Sequence, residues 1–140
     1  MVRRSIEDLV GEAFWRKSAE RLPSAEAAAA LRELFDHVAD VLAARVDDVK
    51  VDDGKTLSFY SAGREFLTFN VTRNGLRVYV HPPARAFFEP EATFAVEKFR
   101  FWEASFQKRT GKYRAMSFWI SSPKHVRGAK AVIGRIPETA

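Results

Sequence analysis

The chain has 140 residues, 46% of them hydrophobic, with 12 Phe and 3 Trp, so it can bury one real core and reads as a single α+β domain over 1–140. It has no cysteine, which excludes disulfides, thiolate metal sites and a cysteine nucleophile and makes a reducing cytoplasm the expected compartment. The net charge of +5 is unevenly spread: residues 1–97 hold 13 Lys or Arg against 16 Asp or Glu, a net −3, and residues 98–140 hold 10 against 2, a net +8.

The first residues run from Arg3-Arg4 straight into Glu7 and Asp8 without an apolar stretch of signal length, and no run approaches the roughly 20 residues a membrane span needs. A soluble protein without membrane contact is expected. Ser5 and Asp8 resemble a capping box, after which Ile6, Leu9, Val10, Ala13 and Phe14 repeat at helical spacing to about Leu22. Pro23 interrupts and Ser24 can cap again. Leu31, Leu34, Phe35, Val38, Val41, Leu42 and Val46 then mark a second helix to about Arg45, with Glu33, Asp36 and Asp40 on a solvated face.

From Val49 the period changes to two, and four antiparallel strands in a meander are predicted to His81. A turn at Asn74-Gly75 pairs Val71 with Val78 and Phe69 with Val80. A three-residue loop Ala62-Gly63-Arg64 opposes Phe59 to Leu67 and Leu57 to Phe69, and a loop Asp52-Asp53-Gly54 opposes Val49 to Leu57 and Val51 to Lys55. One face is then apolar, with Leu57, Phe59, Leu67, Phe69, Val71, Leu76, Val78 and Val80; the other carries Thr68, Asn70, Thr72, Arg77, Tyr79 and His81. Pro82-Pro83 ends the meander.

From Pro90 to Arg109 the spacing of Ala95, Phe99, Trp102 and Phe106 predicts a helix, although aromatic residues also suit a strand there. Tyr113 to Ile120 reads as a fifth strand joining the meander. Ser121-Ser122-Pro123 then opens a short helix carrying Val126, Ala129, Ile133 and Ile136 and closed by Pro137. The expected architecture is two N-terminal helices, a four- to five-stranded antiparallel meander sheet, and C-terminal helices packed on it.

Catalytic patterns are weak. His37, His81 and His125 lack a metal-ligand spacing, no glycine-rich phosphate loop occurs, and no serine sits in a Gly-x-Ser-x-Gly setting. Asp52, Asp53 and Glu65 suggest a metal-dependent nuclease only faintly, because Asp before Gly is ordinary turn chemistry and Glu65-Phe66-Leu67 lacks the lysine such sites commonly show. No catalytic residue, metal ligand or cofactor is assigned, and the reading leans away from an enzyme.

The last third is the stronger signal. Arg100, Lys108, Arg109, Lys112, Arg114, Lys124, Arg127 and Lys130 alternate with Trp102, Tyr113, Phe118 and Trp119. Cations attract phosphates and aromatic faces stack on unpaired bases, so a nucleic-acid partner is expected there. Arg77, Tyr79 and His81, on the polar side of one strand, form a second candidate ligand face.

The run Thr56-Leu-Ser-Phe-Tyr-Ser-Ala-Gly-Arg-Glu-Phe-Leu-Thr-Phe-Asn-Val, its partner Leu76-Arg-Val-Tyr-Val, the strand Tyr113 to Ile120, the serine pair and the terminal helix follow one another in an order that resembles an uncharacterised bacterial domain-of-unknown-function family found in predicted transport or restriction-associated proteins. The likeness is one of element order without a catalytic motif, and Phe87 to Lys112 is longer and more aromatic than that pattern. It implies an accessory or nucleic-acid-associated role and transfers no site residue. Two further possibilities stand beside nucleic-acid contact: a protein-interaction or oligomerisation module, and a small-molecule or enzymatic domain using the outer sheet face.

Overall fold

The structure is a computed structural model that describes residues 3–81, 102–107 and 112–136. The described residues form an α+β fold: helices α1 (Arg3–Val10), α2 (Glu12–Arg21) and α3 (Ala25–Val41), strands β1 (Asp48–Asp52), β2 (Thr56–Ser61), β3 (Arg64–Thr72), β4 (Gly75–Val80), β5 (Trp102–Gln107) and β6 (Lys112–Ile120), and helix α4 (Pro123–Ile133). The strands make one antiparallel sheet in the order β1-β2-β3-β4-β6-β5.

The single N-terminal helix expected from 5 to 22 is two helices. Gly11 takes φ 77 between them, and Ser5 lies inside α1 instead of capping it. Ser24 does cap α3, its hydroxyl accepting from Ala27 N at 3.1 Å, and Ser122 caps α4 with Pro123 in the first turn. The helix expected from 90 to 109 is corrected at Trp102–Gln107, which is strand β5 paired along β6; the rest of that span lies outside the described residues. Trp102 and Phe106, four residues apart, suit the alternation of a strand as well as a helical stripe, and a ladder along β6 decides between the two periods.

The predicted faces hold while two of the three registers move. Leu57 faces Phe69 and Phe59 faces Leu67 as expected, but Phe69 faces Val78, Leu67 faces Val80 and Val49 faces Phe59. Both moved pairings differ from the expected ones by two residues, and a two-residue slip keeps every side chain on its own face. At the β3–β4 turn the loop is Arg73-Asn74, because the Thr72 hydroxyl gathers the backbone N–H groups of Asn74 (3.2 Å) and Gly75 (3.1 Å) and starts the turn one residue early. Positive-φ pairs lie instead in the other two hairpins, at Asp53 (φ 42) and Gly54 (φ 74) and at Ala62 (φ 52) and Gly63 (φ 74), the latter a two-residue loop where three residues were expected, since Arg64 pairs with Ser61. Asp47 Oδ2 accepts from Ala62 N at 2.5 Å, which holds an alanine in that conformation. The ladder returns to register through a bulge at Phe66, since Tyr60 faces Glu65 while Phe59 faces Leu67.

All four helices contribute to one core against the same sheet face, formed by Leu57, Phe59, Leu67, Phe69, Val71, Leu76, Val78, Val80, Phe118 and Ile120. An aromatic chain crosses the layers from Phe14 to Trp15, Phe35, Phe59 and Phe69, with successive ring centroids 5.3, 5.0, 6.3 and 5.5 Å apart. Arg32 lies over Trp15 at 4.6 Å while pairing with Glu7 and Asp36, so the outer side of this stack is closed by a held guanidinium. No helix among the described residues is long and apolar enough to cross a membrane.

Candidate ligand face on the outer side of the sheet

The pleat that turns apolar side chains toward the helices turns the alternate residues of β2, β3, β4 and β6 the other way. Cross-strand pairing aligns them: Ser58 with Thr68, Thr68 with Tyr79, Tyr79 with Ser117, and Arg77 with Trp119. The small hydroxyl residues form a buried floor, with Ser58 and Thr68 each 7% exposed and Ser117 fully buried. Tyr60, Glu65, His81, Tyr79, Arg77 and Trp119 rise around them.

At one end of this face the donors converge on Glu65. Its Oε1 accepts from His81 Nε2 at 2.5 Å and from the Thr68 hydroxyl at 2.7 Å, and its Oε2 accepts from the Tyr60 hydroxyl at 3.1 Å. The Thr68 hydroxyl also stands 2.8 Å from His81 Nε2 and 3.1 Å from the Ser58 hydroxyl. Every hydroxyl and carboxylate oxygen in this corner therefore has a partner, as burial requires. Burial pushes the His81 imidazole below its ordinary value of 6.5, against the pull of the Glu65 carboxylate, which acts to raise it. Burial, the hydrogen bond to Glu65 and the carboxylate charge together push the Tyr60 phenol up.

A hydroxyl nucleophile activated by histidine needs the imidazole between hydroxyl and carboxylate, one ring nitrogen for each. Here Thr68 and Glu65 meet the same nitrogen, so this cluster is a holding arrangement and not a Thr-His-Glu relay. Among the described residues no group of three or more His, Asp or Glu side chains is placed to hold a metal ion.

At the other end the rings and one cation form a ladder. The Arg77 guanidinium lies over Trp119 at 5.1 Å and over Tyr79 at 5.2 Å, and Tyr79 stacks on His81 with centroids 6.3 Å apart and planes 9° from parallel. Arg77 Nε and one terminal nitrogen both donate to the Ser117 hydroxyl, at 3.2 and 2.8 Å, which fixes the plane of the guanidinium. The sequence-predicted trio Arg77, Tyr79 and His81 is thus brought together.

Of the basic residues of the last third, those whose side chains are described do not join this face. Lys124 and Arg127 are exposed on α4, on the helical side of the sheet, and Lys130 is paired with Glu33 at 2.6 Å. Lys112 and Arg114 belong to β6, while Arg100, Lys108 and Arg109 lie outside the described residues. Of the aromatics, Phe118 is core and Trp119 stands on the outer face. Sequence reasoning missed Tyr60, Ser58, Ser117 and Trp119 as members of this face. Ser58 and Tyr60 alternate with the core residues Leu57 and Phe59, so parity alone could have found them; Ser117 and Trp119 needed the pairing of β6 with β4.

No protein-family model, no curated protein and no solved structure matches this chain.

Proposed function

We propose that the protein contacts single-stranded nucleic acid through the outer sheet face, where the meander meets the basic C-terminal third. The observation that carries this is the ladder Trp119, Arg77, Tyr79, His81: three flat rings and a guanidinium, each half-buried, held in order on the outer face of the sheet. Unpaired bases stack on such rings, and an arginine held among them places a positive charge beside the strand; sheet-borne aromatics are a recurring platform for single strands. The excess of cations in 98–140 adds long-range attraction for a polyanion. Fluorescence anisotropy with labelled single-stranded RNA, single-stranded DNA and duplex, over a series of salt concentrations, tests it. Binding that weakens with salt and prefers single strands is expected, and Tyr79→Ala should weaken it by about 1–3 kcal/mol, the usual worth of one stacked base. Lys124→Glu with Arg127→Glu should weaken it less, because those residues lie on the other side of the sheet. Absence of binding at low salt, or equal loss from both sets of variants, removes the sheet-face assignment.

A protein-interaction module is the second reading, favoured by one observation. Among the described residues strand β1 pairs with β2 alone, and the two exposed large hydrophobic residues are Val51 on β1 (40%) and Leu9 on α1 (44%). An open strand edge is a template for pairing with another chain, although Asp48, Lys50 and Asp52 put charges along this one. Sedimentation separates the two readings: self-association abolished by Val51→Lys supports the edge.

A further inference from the structure

A concavity lies on the helical side of the sheet, away from the ladder. It has a volume of about 660 Å3, within the range of small-molecule sites, and it opens between the N-terminal halves of α3 and α4 over the β3–β4 turn. The two helices are pinned further along: Lys130 reaches Glu33 at 2.6 Å, and His37 Nε2 bonds the Lys130 carbonyl oxygen at 3.2 Å. From that pin they part toward their first turns. The floor is shallow and apolar, made by the methyls of Ala27 and Ala30 with Val126, Ile120 and the Gly75 backbone.

Most polar groups around the rim already have intramolecular partners. The Ser24 hydroxyl caps α3, the Ser122 hydroxyl caps α4, and the Ser121 hydroxyl meets His125 Nδ1 at 3.0 Å. Three groups remain without a hydrogen bond or ion pair: the Glu26 carboxylate on the α3 wall, the Arg127 guanidinium on the α4 wall, and the Asn74 carboxamide at the turn. The walls thus carry opposite charge across an apolar floor. Glu26 stands in the first turn of α3, and the first turn of α4 has no acid.

We propose that this groove is a binding site for a small zwitterion with an apolar body, of the size of a hydrophobic dipeptide. Its ammonium group meets Glu26, its carboxylate meets Arg127, its side chains lie on the alanine floor, and its central amide reaches Asn74. An anion alone would leave Glu26 facing it, and a purely apolar ligand would leave both charges unanswered, so charge complementarity selects a molecule bearing both signs.

Titration calorimetry of the full chain with leucyl-phenylalanine, its N-acetyl derivative and its C-terminal amide tests the assignment. The free dipeptide is expected to bind saturably, and each blocked derivative to bind roughly tenfold or more weakly. Arg127→Gln should weaken the free dipeptide and abolish discrimination against the amide; Glu26→Gln should do the same for the acetyl derivative. Ala27→Leu should fill the floor and remove binding while thermal melting stays cooperative. No saturable heat at millimolar dipeptide, or equal binding of free and blocked forms, overturns the proposal. Because no oligonucleotide is used and every variant lies on the helical side, the result is independent of the sheet-face reading.

Discussion

The two faces of the sheet are made from alternate residues of the same strands, yet they are specified by different physics. On the inner face any large apolar residue in the right parity satisfies the requirement, since burial of hydrocarbon is not directional. On the outer face each group depends on a particular partner: Glu65 collects three donors from β2, β3 and the end of β4, and Arg77 is oriented by a hydroxyl on β6. The inner face therefore tolerates change by degree, and the outer face by connection.

The largest effect should come from the inner face. Phe69→Ala removes a fully buried ring from the aromatic chain and should cost about 3–5 kcal/mol in urea unfolding. A smaller loss at Phe69 than at any outer-face residue would overturn the division. The turns come next, and two glycines with the same φ of 74 separate conformation from contact. Gly63→Ala meets nothing within 4 Å and should cost about 1–2 kcal/mol for the left-handed conformation alone. At Gly54 an added Cβ would stand 2.6 Å from Lys17 Cβ and 3.1 Å from the Lys17 carbonyl carbon, so Gly54→Ala should cost clearly more and loosen α2 from the β1–β2 turn. Equal losses at the two glycines would show that the approach to α2 is not tight.

On the outer face Glu65→Gln keeps the shape and removes the charge, and should cost about 1–2 kcal/mol, with the near-ultraviolet signal of Tyr60 altered. Since Glu65 is what raises the His81 imidazole against burial, the same variant should move the His81 titration, followed by NMR, to still lower pH. The smallest effect is the pH dependence itself. The folded state holds His81 below 6.5, so neutral His81 contributes stability that is present above pH 6.5 and is lost as the pH falls through its depressed value. His81→Gln should flatten the melting temperature against pH in that acid window, where His125, lowered by burial and by Lys124, adds a similar trend.

The division also explains what could be read from the residues. The inner set from Leu57 to Val80 was legible because parity survives errors of two: the turn at Asn74-Gly75 was placed one residue late, yet Val71, Phe69 and Val78 stayed on the correct side. The break at Gly11 was not legible, since a lone glycine within a helical stripe is compatible with an unbroken helix. Strand β5 was obscured because Trp102 and Phe106 satisfy both periods. The outer face was half legible. Arg77, Tyr79 and His81 follow from one strand, whereas the role of Glu65 depends on the bulge at Phe66, and nothing in a single sequence announces an extra residue between two paired positions.

That bulge acts as a fastening for the last residue of the meander. Phe66 stands unopposed on the β2 side, but on the β4 side its carbonyl oxygen accepts from His81 N at 3.0 Å, while the neighbouring Glu65 grips the His81 side chain. Main chain and imidazole are thus anchored by two successive residues of one strand, like a cleat with two horns. A chain lacking Phe66 could keep an unbroken β2–β3 ladder, with Glu65 still opposite Tyr60, and would give up the spacing that lets both anchors reach the same residue.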